Sequence, residues 1–272
     1  MEKKFFAIIL AVMVMVFSSV LVVSAADTFT VGLECNYAPF NWTQTDDSNG
    51  AVPIAGGMGY CGGYDVEIAK IIANALGKEL VIQKIEWDGL ILAVNSGKID
   101  AVIAGMSPTE ERKNSVDFSD PYYESDLVIV VKADGPFANA KTLADFAGAK
   151  ITGQLNTFHD TVVDQIPNVK HITAMETFPA MIVALNSGKI DGYVSERPGA
   201  VSAQESNPGL TFVEFAEGDG FEASPEDVAI AVAMKKGTDI LGEVNKALAE
   251  ISKETRQEMM DAAVANQPVA QY

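Results

Sequence analysis

The sequence predicts an α/β fold built as two similar lobes with a cleft between them. Short apolar runs alternate with segments of helical period, the pattern of a sheet flanked by helices. One block of sequence occurs twice. Leu92 to Val102 reads Leu-Ala-Val-Asn-Ser-Gly-Lys-Ile-Asp-Ala-Val, and Val183 to Tyr193 reads Val-Ala-Leu-Asn-Ser-Gly-Lys-Ile-Asp-Gly-Tyr. Each copy reads as a helix end, a glycine turn and a buried strand. A single period of this length is too long for a solenoid and predicts two lobes instead. A cleft between lobes is a natural small-molecule site.

The elements follow in order. Glu2, Lys3 and Lys4 precede an apolar stretch, Phe5 to Val23, broken only by Ser18 and Ser19, and Ala25 offers a small-residue cleavage site. Residues 1–25 are therefore expected to be a signal peptide removed on export. An uncleaved anchor is the alternative, because the stretch approaches spanning length. No Cys directly follows it to carry a lipid, and no later segment is long and apolar enough to span a membrane. The body is expected in the periplasm or on the extracytoplasmic face. Thr28 to Leu33 reads as a strand, and Asn36 to Gly63, rich in Gly, Pro, Asn and Asp, as a long loop or hairpin. Val66 to Leu76 has helical apolar spacing and is ended by Gly77. Leu80 to Ile85 is a strand, Leu90 to Val94 a short helix stopping near Gly97, and Ile99 to Ala104 a buried strand. Leu127 to Val131 and Val228 to Met234 are further apolar β-rich runs, and amphipathic helices close the chain.

Composition excludes several function classes. With 19 Lys+Arg against 37 Asp+Glu the chain carries −18, so it has no cationic excess with which to release counterions from nucleic acid. Hydrophobic residues make up 48%, which excludes disorder. Two Cys and two His rule out a four-thiolate zinc site and a multi-histidine centre. No metal and no cofactor are expected.

The local motifs point to an anionic head group and a cation. In Ser107-Pro108-Thr109-Glu110-Glu111-Arg112, Ser107 suits an N-cap, Pro108 the first helical position and Glu110 the reciprocal cap. A helix start at a strand end offers free N–H groups, and the Arg112 fork can grip a carboxylate bidentately. An ordinary capped helix with Arg112 in a surface ion pair is the plainer alternative. Glu34-Cys35-Asn36-Tyr37-Ala38-Pro39-Phe40-Asn41-Trp42 puts an acid and several rings after the first strand, the chemistry of cation capture. The alternative there is Phe40 and Trp42 in the core and Glu34 solvated. Trp87 adds a ring that lines the cleft or packs in the core. Glu196 ends the repeated strand of the second lobe, facing the cleft or paired with Arg197. Cys35 and Cys61 flank the polar loop and are expected to form a disulfide in an oxidising compartment. Gly56-Gly57-Met58-Gly59 lacks the Lys-Ser/Thr ending of a phosphate loop. His159 and His171 lack metal-ligand spacing and read as surface or packing residues.

Together the residues resemble the family 3 extracellular solute-binding proteins, the polar amino acid receptors of ABC importers. The resemblance covers about residues 28–268. It rests on Tyr37-Ala38-Pro39-Phe40, Gly63-Tyr64-Asp65-Val66, Trp87-Asp88-Gly89-Leu90, Gly97-Lys98-Ile99-Asp100-Ala101, the Thr109-to-Arg112 turn, Asp117-Phe118-Ser119-Asp120-Pro121-Tyr122 and Gly188-Lys189-Ile190-Asp191. It implies the two-lobed periplasmic-binding-protein fold of type II, with two hinge strands and a discontinuous first lobe: 27–126 with 226–272 as lobe one, 127–225 as lobe two. It also implies that Arg112 holds a ligand α-carboxylate, helped by the backbone and hydroxyls around Ala104, Gly105, Ser107 and Thr109. Glu196 falls where the family places an acid on the α-ammonium. Tyr37 and Trp87 fall where rings sandwich the side chain, and Glu34 where receptors for basic amino acids carry a distal acid. Gln154, Asn156 and Thr157 occupy the lobe-two turn that closes over the ligand. Ala104-Gly105 replace hydroxyl residues common in the basic amino acid receptors. The implied function is a non-catalytic, monomeric receptor that delivers a cationic amino acid, arginine or lysine, to an ABC permease. The alternatives are a receptor for glutamine or cystine and a cyclohexadienyl dehydratase-like enzyme.

Overall fold

The computed structural model describes residues 27–268; the expected signal peptide lies outside them. β1 (Thr28–Leu33) coincides with the first predicted strand. The stretch read as a long loop or hairpin folds as antiparallel pairs: β2 (Asn36–Tyr37), β3 (Asn41–Gln44), β4 (Val52–Pro53) and β5 (Tyr60–Gly62), a separate sheet ordered β2-β3-β5-β4. Strands this short carry too few residues for an alternating pattern to register. α1 (Tyr64–Ala75) buries Val66, Ile68, Ala69, Ile72 and Ala73 as one stripe. Then come β6 (Glu79–Lys84), α2 (Leu90–Asn95), β7 (Ala101–Val102), α3 (Glu110–Lys113), β8 (Val116–Phe118) and β9 (Tyr123–Glu124). β10 (Leu127–Lys132) opens a second sheet, followed by β11 (Lys150–Thr152), α4 (Phe158–Thr161), β12 (Lys170–His171), α5 (Phe178–Asn186), β13 (Gly192–Glu196), α6 (Arg197–Ser206) and β14 (Leu210–Val213). The chain returns through α7 (Pro225–Val228), β15 (Ala229–Ile230) and β16 (Ala233–Lys235) to α8 (Leu241–Ala249) and α9 (Lys253–Asn266). None of the described helices is long and apolar enough to cross a membrane.

The two main sheets are copies of one pattern. The first runs β6-β1-β7-β16-β8 and the second β12-β11-β13-β10-β14. In each, the first three strands are parallel and the last two join antiparallel. In each, the fourth strand belongs to chain that has just crossed from the other lobe. The crossings meet where β9 pairs antiparallel with β15, Glu124 opposite Ala229 and Tyr123 opposite Ile230.

The repeated hexapeptide does the same structural work twice. Gly97 and Gly188 both take φ of 74° to end their helices, a conformation that favours glycine. Ser96 Oγ donates to the Ala93 carbonyl at 3.0 Å and Ser187 Oγ to Ala184 at 3.1 Å. Ile99 and Ile190 are buried. Asp100 accepts from the Thr30 N–H at 2.7 Å, and Asp191 from that of Lys150 at 2.8 Å. Each Asp thereby ties its strand to the neighbouring parallel strand.

Cys35 and Cys61 are free, buried thiols rather than the expected disulfide. Cys61 lies on β5 opposite Thr43 of β3, and the Thr43 hydroxyl donates to the Cys35 carbonyl at 2.9 Å. Burial drives the Cys61 thiol far above its ordinary range, and the neighbouring Cys35 adds to the rise. Exchange and oxidation need a thiolate, and this environment suppresses it. Spacing and compartment permit a bridge; local burial decides its chemistry.

One buried polar network fixes the end of β7. Asp65, in the first turn of α1, accepts from Asn41 Nδ2 at 2.8 Å and from Tyr122 Oη at 2.7 Å. Tyr122 Oη in turn accepts from the Gly105 N–H at 3.3 Å. Asp65→Ala is expected to destabilise the fold by on the order of 3 kcal/mol, because it leaves the Tyr122 O–H and the Asn41 amide N–H buried without an acceptor. Denaturant unfolding checks this, and an unchanged midpoint would remove the network from the stability of the lobe.

Candidate functional site

The site lies where strand ends of the two sheets face each other. Leu33 ends β1 and leaves Glu34 buried beside the cleft. β7 leads to Gly105, whose φ is 63°. A Cβ there would lie 2.9 Å from Tyr37 Cε1, so glycine is what lets the Tyr37 ring lie against this backbone. Phe178 stacks on Tyr37 with centroids 4.3 Å apart. Phe40 and Trp42 are buried in the core.

The expected helix start is displaced. Thr109, not Ser107, caps α3, its hydroxyl accepting from the Arg112 N–H at 3.4 Å. Ser107 Oγ instead donates to the Asp227 carbonyl at 2.9 Å, tying the turn to α7. Arg112 is half-buried. Its Nη1 donates to the Ser107 carbonyl at 3.0 Å, its Nη2 to the Asn156 carbonyl at 3.2 Å, and its guanidinium lies 5.0 Å from the Trp87 ring centroid. Desolvation lowers its pKa to about 10. No ion pair joins it to a carboxylate among the described residues. The surface ion pair that was the plainer expectation is not formed.

Several bonds close the lobes on each other. Trp87 Nε1 donates to the Asn156 carbonyl at 3.4 Å, and Asn156 Nδ2 to Asp88 Oδ1 at 2.9 Å. Gln154 Nε2 donates to Glu34 Oε1 at 3.4 Å. The Tyr37 hydroxyl donates to Glu196 Oε2. Asn156 reaches across from a left-handed conformation, φ 57°.

Two buried acids flank this junction. Burial raises Glu34 to about 7, against the Gln154 hydrogen bond, with Glu86, Asp88 and Asp65 adding to the rise. Burial raises Glu196 to about 8. Glu196 does not pair with Arg197, which is held by Glu214 at 2.5 Å. Its Oε1 lies instead 2.9 Å from His159 Nε2.

Of the residues singled out in the sequence, Tyr37, Trp87, Gly105, Ser107, Arg112, Gln154 and Thr157 line one interlobe cavity. Thr109 and Asn156 line a second cavity that shares Trp87, Arg112 and Thr157 with the first. Ala104 is buried behind the strand end. Glu34 and Glu196 reach the cavity through the lining side chains Gln154, Tyr37 and His159. Phe158, His159 and Asp227 line it too, and sequence reasoning passed over them. His159 reads as packing because nothing local shows its partner Glu196. The Ser224-to-Asp227 capping box is a sequence signal that could have placed Asp227 at a helix start. His171 lies elsewhere, between Asp160 at 2.9 Å and Asp164 at 2.8 Å. Among the described residues no cluster of three or more His, Cys, Asp or Glu could hold a metal ion.

A half-buried guanidinium without a carboxylate among the described residues, with Glu34 buried on its own lobe and Glu196 buried on the other, is suited to a zwitterion whose carboxylate and ammonium lie apart. Comparison with known proteins agrees with this chemistry. Residues 29–263 match the family model described as bacterial extracellular solute-binding proteins, family 3. The probable histidine-binding protein of Campylobacter jejuni is 32% identical over 226 residues, 82% of this chain and 79% of that protein. The L-cystine-binding protein TcyJ of Escherichia coli (strain K12) is 31% identical over 229 residues, 84% of this chain and 78% of that one. An amino acid ABC transporter substrate-binding protein from Streptococcus pneumoniae, solved bound to L-arginine, superposes with a TM-score of 0.76 at 29% identity, covering 88% of this chain and 94% of that one.

Proposed function

The chain belongs to the bacterial extracellular solute-binding proteins, family 3, and from that premise we propose that it is an extracytoplasmic receptor for a cationic L-amino acid, arginine before lysine, which it delivers to the permease of an ABC importer. Its relatives are named as binding proteins; the chain is a binding protein for amino acid ABC transport and not an enzyme, which sets aside the dehydratase alternative.

The observation that carries the proposal is Arg112, a desolvated cation without a carboxylate partner on the interlobe cavity. An α-carboxylate completes it with two parallel charge-assisted bonds. Arg112 sits on lobe one and Glu196 on lobe two, so a ligand whose carboxylate meets one and whose ammonium meets the other holds the lobes closed. Glu34 decides the side chain. It is buried, and Glu86, Asp88 and Asp65 add negative potential around it. That field favours a cationic tip, and a planar guanidinium pairs bidentately with a carboxylate where an ammonium cannot. Glu34 would ionise as the cation arrives, since an adjacent positive charge favours the charged form.

One observation favours a polar uncharged ligand instead. Gln154 already donates to Glu34, so a protonated, amide-satisfied Glu34 suits glutamine or cystine. Glu34→Gln separates the two. With a cationic ligand, L-arginine binding falls by about 2–5 kcal/mol, the cost of truncating one partner of a desolvated charge pair, while L-glutamine binding changes little. Calorimetry that finds equal losses, or tighter binding of glutamine than arginine by the unmodified protein, moves the assignment to the uncharged class.

A further inference from the structure

Among the described residues, one buried side-chain polar atom has no hydrogen-bond partner: Nδ1 of His159. The ring is otherwise held firmly. Its Nε2 lies 2.9 Å from Glu196 Oε1, and Phe178 meets it edge-on at 5.8 Å. The ring lines the same cavity as Arg112. A buried polar atom left unpaired is costly and calls for an explanation.

We propose that His159 is a direct ligand contact, its Nδ1–H donating to the α-carboxylate held by Arg112 while its Nε2 accepts the proton that Glu196 gives up to meet the α-ammonium. The inference rests on the amino-acid reading of the cleft and deepens it. The protonation states follow from the surroundings. Burial and the nearby Arg112 charge lower His159 to about 3, and burial raises Glu196 to about 8. Before ligand binds, a neutral ring therefore faces a protonated Glu196. Nε2 then accepts from Glu196, which puts the ring hydrogen on Nδ1.

The ligand reverses both conditions. Its carboxylate neutralises the Arg112 field, and its ammonium favours ionised Glu196, which in turn favours imidazolium at Nε2. The proton leaves Glu196 Oε1 and ends on His159 Nε2, so none is exchanged with solvent. The other charged or titratable groups facing this pair are Tyr37, whose hydroxyl donates to the second Glu196 oxygen, and Asp227, which lines the cavity beside Arg112.

The test compares the unmodified protein with His159→Phe, which keeps a ring of similar size, using L-arginine and L-argininamide in buffers of different ionisation enthalpy near pH 7. The unmodified protein is expected to release only the roughly half proton that Glu34 gives up to the cationic side chain near pH 7, and none from Glu196. His159→Phe is expected to release close to one proton more per ligand than the unmodified protein and to lose about tenfold more affinity for L-arginine than for the amide, as suits one hydrogen bond to a charged group. Equal losses for the two ligands overturn the carboxylate contact, and unchanged proton release overturns the transfer. Nitrogen NMR of His159 in the unmodified protein needs no variant: both ring nitrogens protonated in the complex supports the proposal, and a neutral ring overturns it. If another L-amino acid is the ligand, that amino acid and its α-carboxamide replace the pair. If no L-amino acid binds, the amino-acid reading falls and takes this inference with it. If binding is carboxylate-dependent yet indifferent to His159, only this inference falls.

Discussion

Arg112→Ala protein folds normally and no longer retains an amino acid at concentrations that saturate the unmodified protein. The expected loss is about 2–5 kcal/mol, or on the order of thirty- to several-thousandfold in affinity. The fold should survive because the side chain is half-buried and its bonds inside the protein go to two carbonyls, Ser107 and Asn156. The helix start it leaves behind still carries its Thr109 cap. The ligand carboxylate, by contrast, would enter a desolvated cleft with no cation to meet it, and an unpaired buried charge is far more costly than a lost exposed pair. Arg112→Lys should recover only part of the loss, since an ammonium restores charge without the planar fork. It also gives up the guanidinium stacked on Trp87. Calorimetry with L-arginine on the folded variants measures both effects. Near-normal affinity in Arg112→Ala would show that the carboxylate is held elsewhere.

The parts of this molecule that were legible in its sequence are those determined by local chemistry. β1 is read at its observed bounds because Thr-Phe-Thr-Val-Gly-Leu is a short β-prone run that passes from an exposed start to a buried end. The repeated Asn-Ser-Gly-Lys-Ile-Asp is read as a helix end and a strand start because glycine, serine and aspartate each act within a few residues or on the adjacent strand. Arg112 and Glu196 were legible as candidates because one sits in the capped turn after a buried strand and the other ends one. What sequence could not supply were partners distant in the chain. Ser107 looks like a cap, but its hydroxyl is taken by the Asp227 carbonyl. Arg197 looks like the partner of Glu196, but β14 offers it Glu214. His159 carries no local signal at all; only the folded cleft brings it to Glu196. The Cys35–Cys61 expectation failed for a related reason, since spacing records proximity but not the burial that keeps a thiol protonated.

Without ligand, the protein should become less stable as pH rises from about 6 to about 8.5, by roughly 3–4 kcal/mol at about 1.4 kcal/mol per pKa unit. The effect comes from buried acids. Burial raises Glu196 to about 8 and Glu34 to about 7, while Asp65, at about 6, is already half ionised at the lower end and adds little. In the unfolded chain these carboxyls ionise near their ordinary values, well below the whole window. The folded state therefore binds more protons than the unfolded state, and stability present at low pH is lost as pH rises through the folded values. His159 acts in the opposite sense, because burial and Arg112 hold it neutral and its contribution is lost as pH falls below about 6.5. Starting near pH 6 keeps that opposing effect small. A bound amino acid should flatten the slope, since a cation beside each acid favours the ionised form that burial alone disfavours. Thermal or denaturant unfolding at fixed ionic strength reads the result directly. A stability that stays level or increases between pH 6 and pH 8.5 would mean that Glu34 and Glu196 are already ionised in the empty cleft, with counter-charges or solvent that this packing does not provide.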